Sequence, residues 1–277
     1  MMPMQMRMPM RQNLHTHTTY CDGRETPEAM IQAAIEARCD SIGFSGHSYV
    51  ESVTPLYSMS DETMRAYVGE VSSLKVKYKD RIPVYLGIEQ DYHSGVPADG
   101  FDFVIGSVHF IMKGGEVIEV DGIQRRQLAE YYGGDYYAML AEYFAMLGGV
   151  AVTTGADIIG HFDIVTKRNF DNSLFDESHP RYIGPALDAM DEILKSCNLF
   201  EVNTGAMYRR LRREPFPSQY MLKELRKRGG EVLLSSDSHD IPSLCYMHEE
   251  ACELLRACGY RYVKHLTASG FIAERIV

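Results

Sequence analysis

Short apolar runs alternate with longer amphipathic ones along most of the chain, and this alternation predicts strands and helices in turn. The first apolar run exits into Leu14 to Gly23 (LHTHTTYCDG). Thr26 then caps a helix with Pro27 at its first position, and Met30, Ala33, Ala34 and Ala37 keep helical spacing to about Cys39. Ser41 to Ser45 (SIGFS) reads as a strand ending at His47, and Asp61 to Lys79 as a charged-faced helix. Ile82 to Ile88 is a buried strand ending at Glu89; Phe101 to Val108 ends at His109. A small hairpin or excursion is expected over Lys113 to Gly122 around Gly114 and Gly115, then one long helix from about Arg126 to Leu147. Ala156 to Gly160 is closed by His161, Pro180 to Cys197 is helical, and Leu199 to Val202 leads into Asn203-Thr204-Gly205. Ser218 to Arg228 is a helix stopped by Gly229 and Gly230. Glu231 to Ser236 is the last strong strand, running into Asp237-Ser238-His239, and a Pro242 to Cys258 helix precedes a C-terminal segment.

About seven strand–helix units with inserted loops suit an α/β fold with parallel strands, a barrel rather than an open sheet. No repeat, linker or low-complexity tract divides the chain, so residues 12–277 are expected to form a single domain, with the Met-rich residues 1–11 as a flexible tail. At 277 residues and 45% hydrophobic content, a large core is available. A formal charge of -10 and a pI near 5.5 argue against nucleic acid as partner, since phosphate backbones are met with surplus Lys and Arg. Six scattered cysteines without a Cys-x-x-Cys, no secretory leader and no bilayer-length apolar run point to a reduced, cytoplasmic protein with no membrane role. Oligomeric state is not written in this pattern.

The chemistry lies at the strand ends. In extended chain, side chains two apart point the same way, so His15 and His17 can offer two imidazoles to one ion, with Asp22 in the following loop. His47, Glu89, His109, His161, Asp237 and His239 each stand at or just beyond the C-terminal end of an expected strand. In a barrel, those ends share one mouth. Imidazoles mixed with carboxylates suit Zn, Mn or Fe better than Ca or Mg alone. His93 reads as a surface residue; His179, His248 and His265 follow no strand signal. The tyrosines at 131, 132, 136, 137 and 143 and the cysteines read as packing residues.

These motifs resemble the polymerase and histidinol phosphatase (PHP) superfamily of metal-dependent phosphoesterases. HTHTTYCDG, GHS at Gly46 to Ser48, IEQD at Ile88 to Asp91, GSVHF at Gly106 to Phe110, GHFD at Gly160 to Asp163 and SDSH at Ser236 to His239 are similar to the family's motifs in order. The resemblance implies a distorted, TIM-like (β/α)7 barrel. It also implies two to three divalent ions: one metal on His15, His17, Glu89 and Asp237, a second on Glu89, His109 and His161 with Glu89 as the bridge, which a carboxylate can be, and a third on Asp22, His47 and His239.

Within the superfamily, FDFVIGSVHF, DIIGHFDIV and EVNTGAMYRRLRREPFPS are most like histidinol-phosphatases. That likeness implies hydrolysis of L-histidinol phosphate, a step of histidine biosynthesis, by metal-activated water. Arg209, Arg210, Arg212 and Arg213 give one loop of an acidic protein a local positive charge, and Arg168 follows His161 closely. Arg168, Arg209 and Arg210 are the candidate phosphate ligands. Asp237, His239, Arg209 and Arg168 are the candidate catalytic residues. The competing readings are a phosphoesterase of the same superfamily acting on nucleotides or DNA ends, and a catalytically silent metal-binding scaffold.

Overall fold

A computed structural model describes residues 10–51, 53 and 57–276. Its strands are β1 (Gln12–Asn13), β2 (Ser41–Phe44), β3 (Val84–Asp91), β4 (Phe103–Ser107), a hairpin of β5 (Phe110–Lys113) and β6 (Glu116–Glu119), β7 (Ile158–Ile159), β8 (Leu199–Asn203) and β9 (Glu231–Ser235). Seven of them form one parallel sheet in the order β1-β2-β3-β4-β7-β8-β9. The sheet curls back on itself where Thr16 bridges Ser238: the His17 N–H donates to Ser238 O (2.8 Å) and the Ser238 N–H to His15 O (3.0 Å). This is the expected distorted (β/α)7 barrel, nearly closed. A last hairpin, β10 (Tyr262–Thr267) and β11 (Gly270–Arg275), covers the seam at the other end, where the Gln12 amide donates to Leu266 O and accepts from Leu266 N.

The helices are α1 (Pro27–Glu36), α2 (Asp61–Tyr78), α3 (Arg125–Tyr132), α4 (Tyr136–Gly148), α5 (Val150–Thr154), α6 (Pro180–Ile193), α7 (Gly205–Tyr208), α8 (Gln219–Lys227) and α9 (His248–Ala257). Thr26 caps α1 through its hydroxyl, with Pro27 at the first turn. Two expected helices are broken. The one over Arg126 to Leu147 stops at Gly133 and Gly134 (φ 60° and 84°), a left-handed C-terminal turn, and restarts at Asp135, which accepts from the Tyr137 N–H. The one over Pro242 to Cys258 begins only at His248, because Cys245 and Met247 also take positive φ (54° and 52°). Met10 and Arg11, the end of the expected tail, are tied down through their N–H groups to Glu274 and Asp40. The rest of that tail, residues 1–9, lies outside the described residues.

Alternation along each strand sorts the core. Val84 and Leu86 of β3 pack outward against α1 and α2, and Phe200, Val202, Val232 and Leu234 pack under the helices that follow. The alternate positions face the barrel axis: Tyr85, Phe103, Ile105, Ile158, Leu199 and Leu233 form an inner cluster closed from below by Leu266 and Phe271. One or two inward positions further up, the same stripes become polar, at Glu89, Ser107, Glu201, Ser235 and Asp237. The barrel is therefore dry at its N-terminal end and carries acceptors and imidazoles at its C-terminal end.

A candidate metal centre at the barrel mouth

All nine side chains singled out as candidate ligands, eight at the strand ends and Asp22 in the first loop, meet at this mouth. Glu89 sits at the middle, inside β3 rather than beyond it, since that strand runs on to Asp91. Its Oε2 lies 2.8 Å from His47 Nδ1, 3.3 Å from His15 Nε2 and 3.5 Å from His17 Nε2. Its Oε1 lies 2.8 Å from His161 Nε2 and 3.2 Å from His109 Nε2. Asp237 Oδ1 is 3.2 Å from His17 Nε2 and 3.6 Å from His15 Nε2, while Asp22 faces His17, His47 and His239 at 3.1 to 3.7 Å.

Hydrogen bonding does not account for this packing. His15 Nε2, His17 Nε2, Asp22 Oδ1 and Glu89 Oε2 are buried, turned toward one another, and without a hydrogen-bond partner. His109 and His161 point their Nε2 atoms at each other across 3.2 Å. Orphaned buried donors and acceptors are costly unless something else satisfies them, and a cation at their centre would. Four overlapping sets have ligand atoms within 4.8 Å of one another: His17, Asp22, His47 and His239; His15, His17 and Asp237; His15, Glu89 and His161; His47, Glu89 and His109. The residue types and their convergence fit several divalent ions sharing ligands. These sets cut across the three that the sequence resemblance implied, because Glu89, His15, His17 and His47 each belong to two.

Charge is balanced inside the cluster against burial. For Glu89, burial opposes the ionised form, but the imidazoles of His15, His47 and His109 hold the carboxyl well below the usual range. Burial is likewise outweighed at Asp237 by Arg209, His15 and His239. His17 is different: burial, reinforced by His239 and His47, lowers it to about 3, so it stays neutral and able to ligate.

A second layer fixes these groups, and most of it was not singled out from sequence. Glu201 accepts from His15 Nδ1 (2.8 Å), Ser235 Oγ (2.6 Å), Asn203 Nδ2 (2.9 Å) and the His161 N–H (2.6 Å), so one buried carboxylate orients two of the imidazoles. Asp91 accepts from the His109 N–H and ring, and the Ser107 hydroxyl donates to Glu89 Oε1 (2.8 Å). Ser107 fits only because residue 160 is glycine, where a Cβ would stand 2.3 Å from its Oγ. The available signal for Glu201 was a carboxylate inside an otherwise apolar strand. Asp163 of the GHFD stretch accepts from the Ser218 N–H and so anchors the start of α8; burial pushes its carboxyl up to about 7.

A cavity of about 430 Å³ opens on the cluster. Arg209 and Arg168 line it, as do Lys167, Tyr208 and the acidic pair Glu119 and Asp121 from the end of β6 and the loop after it. Arg209 holds Asp237 Oδ2 (2.9 Å), and Lys167 pairs with Asp121. Three other arginines of the basic loop are placed elsewhere. Arg210, expected on the phosphate, is exposed and absent from the cavity wall, because its left-handed backbone (φ 57°) turns the chain there. Arg212 pairs with Glu177 and Glu214, and Arg213 with Asp171. His93 is half-buried outside this cavity, against Phe110 O; the tyrosine cluster packs in the core, as expected.

The PHP domain profile matches residues 13–205, more than half of the chain. The chain belongs to the PHP domain family. A Deinococcus radiodurans protein named as a probable histidinol-phosphatase is 27% identical over 259 residues, covering 90% of this chain and 94% of that one. The Bacillus subtilis histidinol-phosphatase is 21% identical over 263 residues, covering 86% and 97%. Among solved structures, the Lactococcus lactis histidinol phosphate phosphatase, determined with zinc, L-histidinol and phosphate, superposes with a TM-score of 0.69 at 21% identity, covering 95% of this PHP chain and 98% of its own. At that identity the likeness speaks for the shared barrel. Among the described residues, no helix is long and apolar enough to cross a membrane.

Proposed function

We propose that this PHP protein is a metal-dependent phosphomonoesterase that hydrolyses L-histidinol phosphate to L-histidinol and phosphate. One observation carries the reading: buried, unpartnered imidazole and carboxylate atoms converge on a cavity with arginines on its wall. His15, His17, Asp22, His47, Glu89, His109, His161, Asp237 and His239 would hold two to three divalent ions of the Zn, Mn or Fe type, with Glu89 shared. Such ions, when bound, acidify a water and offset charge on a phosphate.

The chain's own groups supply the rest. Arg209, half-exposed and fixed by Asp237, presents its guanidinium to the cavity, and Arg168 lines the same cavity near Asp121; both suit a phosphate dianion. Glu119 and Asp121 give the wall an acidic patch, which suits a substrate that carries an ammonium group as well as a phosphate. Asp237 and His239 line the same cavity and are the proposed catalytic residues beside the ions. The relatives named as histidinol-phosphatases span nearly the full chain and support the same substrate. All six cysteines are unpaired thiols, consistent with the cytoplasm as the place of this reaction.

The test is a phosphatase panel on chelated and metal-reconstituted protein. Histidinol phosphate should exceed AMP, a single-stranded oligonucleotide and an aryl phosphate in kcat/KM by at least a hundredfold, and the chelated protein should be inactive. Parity between histidinol phosphate and the aryl phosphate would remove the pathway assignment, and tight metal binding with no turnover on any ester would leave a scaffold.

A further inference from the structure

Outside the metal centre, one pair of thiols is in contact at the edge of the hydrophobic cluster that α1 and α2 cover. Cys39, in the turn between α1 and β2, and Cys245, in the loop after β9, bring their sulfurs to 3.3 Å across 206 residues of sequence. No other pair among the six thiols is joined this way: Cys197 and Cys258 donate to backbone carbonyls, and Cys21 faces His17. Cys39 is partly exposed and Cys245 is buried behind it. A disulfide needs about 2.05 Å between sulfurs, so the two must close by roughly 1.2 Å to bond.

From this geometry we infer that Cys39 and Cys245 are a peroxide-sensitive dithiol that closes to a disulfide and ties the loop after β9 to the α1–β2 turn. Cys39 is the attacking sulfur. The hydrogen bond it shares with Cys245 and the nearby Arg11 lower its pKa against the effects of burial and Asp40, favouring the thiolate that reacts. The Cys39 thiolate displaces hydroxide from hydrogen peroxide and becomes a sulfenic acid. The Cys245 thiol then displaces the sulfenic oxygen, which leaves as water, and the S–S bond forms; two thiols and one peroxide give one disulfide and two waters. The tie has a route to the metal centre. The Cys245 N–H donates to Ser236 Oγ, which shares a hydrogen bond with Ser238 Oγ (2.7 Å), and these serines flank Asp237.

Full-length, metal-loaded protein treated with a small excess of hydrogen peroxide, then alkylated and mapped by mass spectrometry, tests this. The expected result is a loss of ~2 Da, four alkylatable thiols in place of six, a Cys39–Cys245 linked peptide, and full return on dithiothreitol. Cys39→Ser should keep its remaining thiols free, and Cys245→Ser should leave Cys39 as a sulfenic acid captured by dimedone. Amide exchange across residues 236–247 should slow in the oxidised form. Six alkylatable thiols after peroxide, a link through any other cysteine, sulfinic acid at Cys39 beside a free Cys245, or unchanged exchange in that loop would each overturn the inference.

Discussion

Glu89 shows how much one position can depend on its neighbours. Its Oε1 takes the Ser107 hydroxyl, and Ser107 has room only beside Gly160. Gly160→Ala should push Ser107 aside and cost Glu89 a charge-assisted hydrogen bond, about 1.5–3 kcal/mol, or ~10- to 100-fold in metal affinity. Competition with a chromophoric chelator measures this directly, and affinity equal to the parent would mean that Ser107 does not hold Glu89. The arginines separate in the same way. Arg209→Ala should raise KM for a phosphomonoester by ~10-fold or more with a smaller change in kcat, whereas Arg210→Ala should leave both within twofold, because only the first lines the cavity. Steady-state kinetics on the two variants decides the point. Both arginines stand next to each other in an evident basic run, so their composition and spacing could not separate them; the left-handed turn at Arg210 does.

At the scale of elements, α9 packs against β9, and His248 at its start lies near His265 of β10. His248 at the start of α9 is lowered to about 4, by burial first and then by Arg11 and His265; His265 on β10 is also lowered, mainly by burial. A histidine whose folded pKa is depressed takes up its proton more readily in the unfolded chain. It therefore costs stability as pH falls from about 6.5 toward 4, to a limit of about 3 kcal/mol for His248, and has no effect above that window. Urea midpoints at pH 7, 6 and 5 should fall more steeply for the parent than for His248→Leu. Parallel curves would mean that this imidazole titrates normally in the fold. Strand and helix order was legible from periodicity at this scale, since the predicted runs overlap the observed elements throughout the barrel. The breaks were not: Gly133-Gly134 followed by Asp135 is a stop-and-cap signal hidden inside a continuous apolar stripe, and positive φ at Cys245 and Met247 has no glycine to announce it.

For the whole molecule, closure of the barrel and formation of the metal centre are the same event. The hydrogen bonds that join the chain after β1 to the chain after β9 run through His15, His17 and Ser238, beside the imidazoles that face Glu89 and Asp237. Metal should therefore stabilise the entire barrel and not only its mouth. With free ion at a thousandfold excess over its Kd, the gain is about 4 kcal/mol. Exhaustive chelation should lower the thermal midpoint in one cooperative transition and abolish turnover, and both should return with added Zn or Mn. A chelated protein with an unchanged midpoint would mean that the cluster contributes nothing to closure.

The sequence by itself determined the alternation of strands and helices, the parallel barrel, and nine chemically matched side chains, eight at successive strand ends and Asp22 in the first loop. Those are local properties: periodicity, caps and residue type are carried by neighbours in the chain. Only the tertiary structure decided which ligand faces which, because twist and closure set the distances between strands far apart in sequence. It also brought Glu201 behind His15 and His161, Gly160 beside Ser107, Glu119 and Asp121 onto the cavity wall, and Cys39 against Cys245. Each of these is a long-range contact that no spacing along the chain encodes.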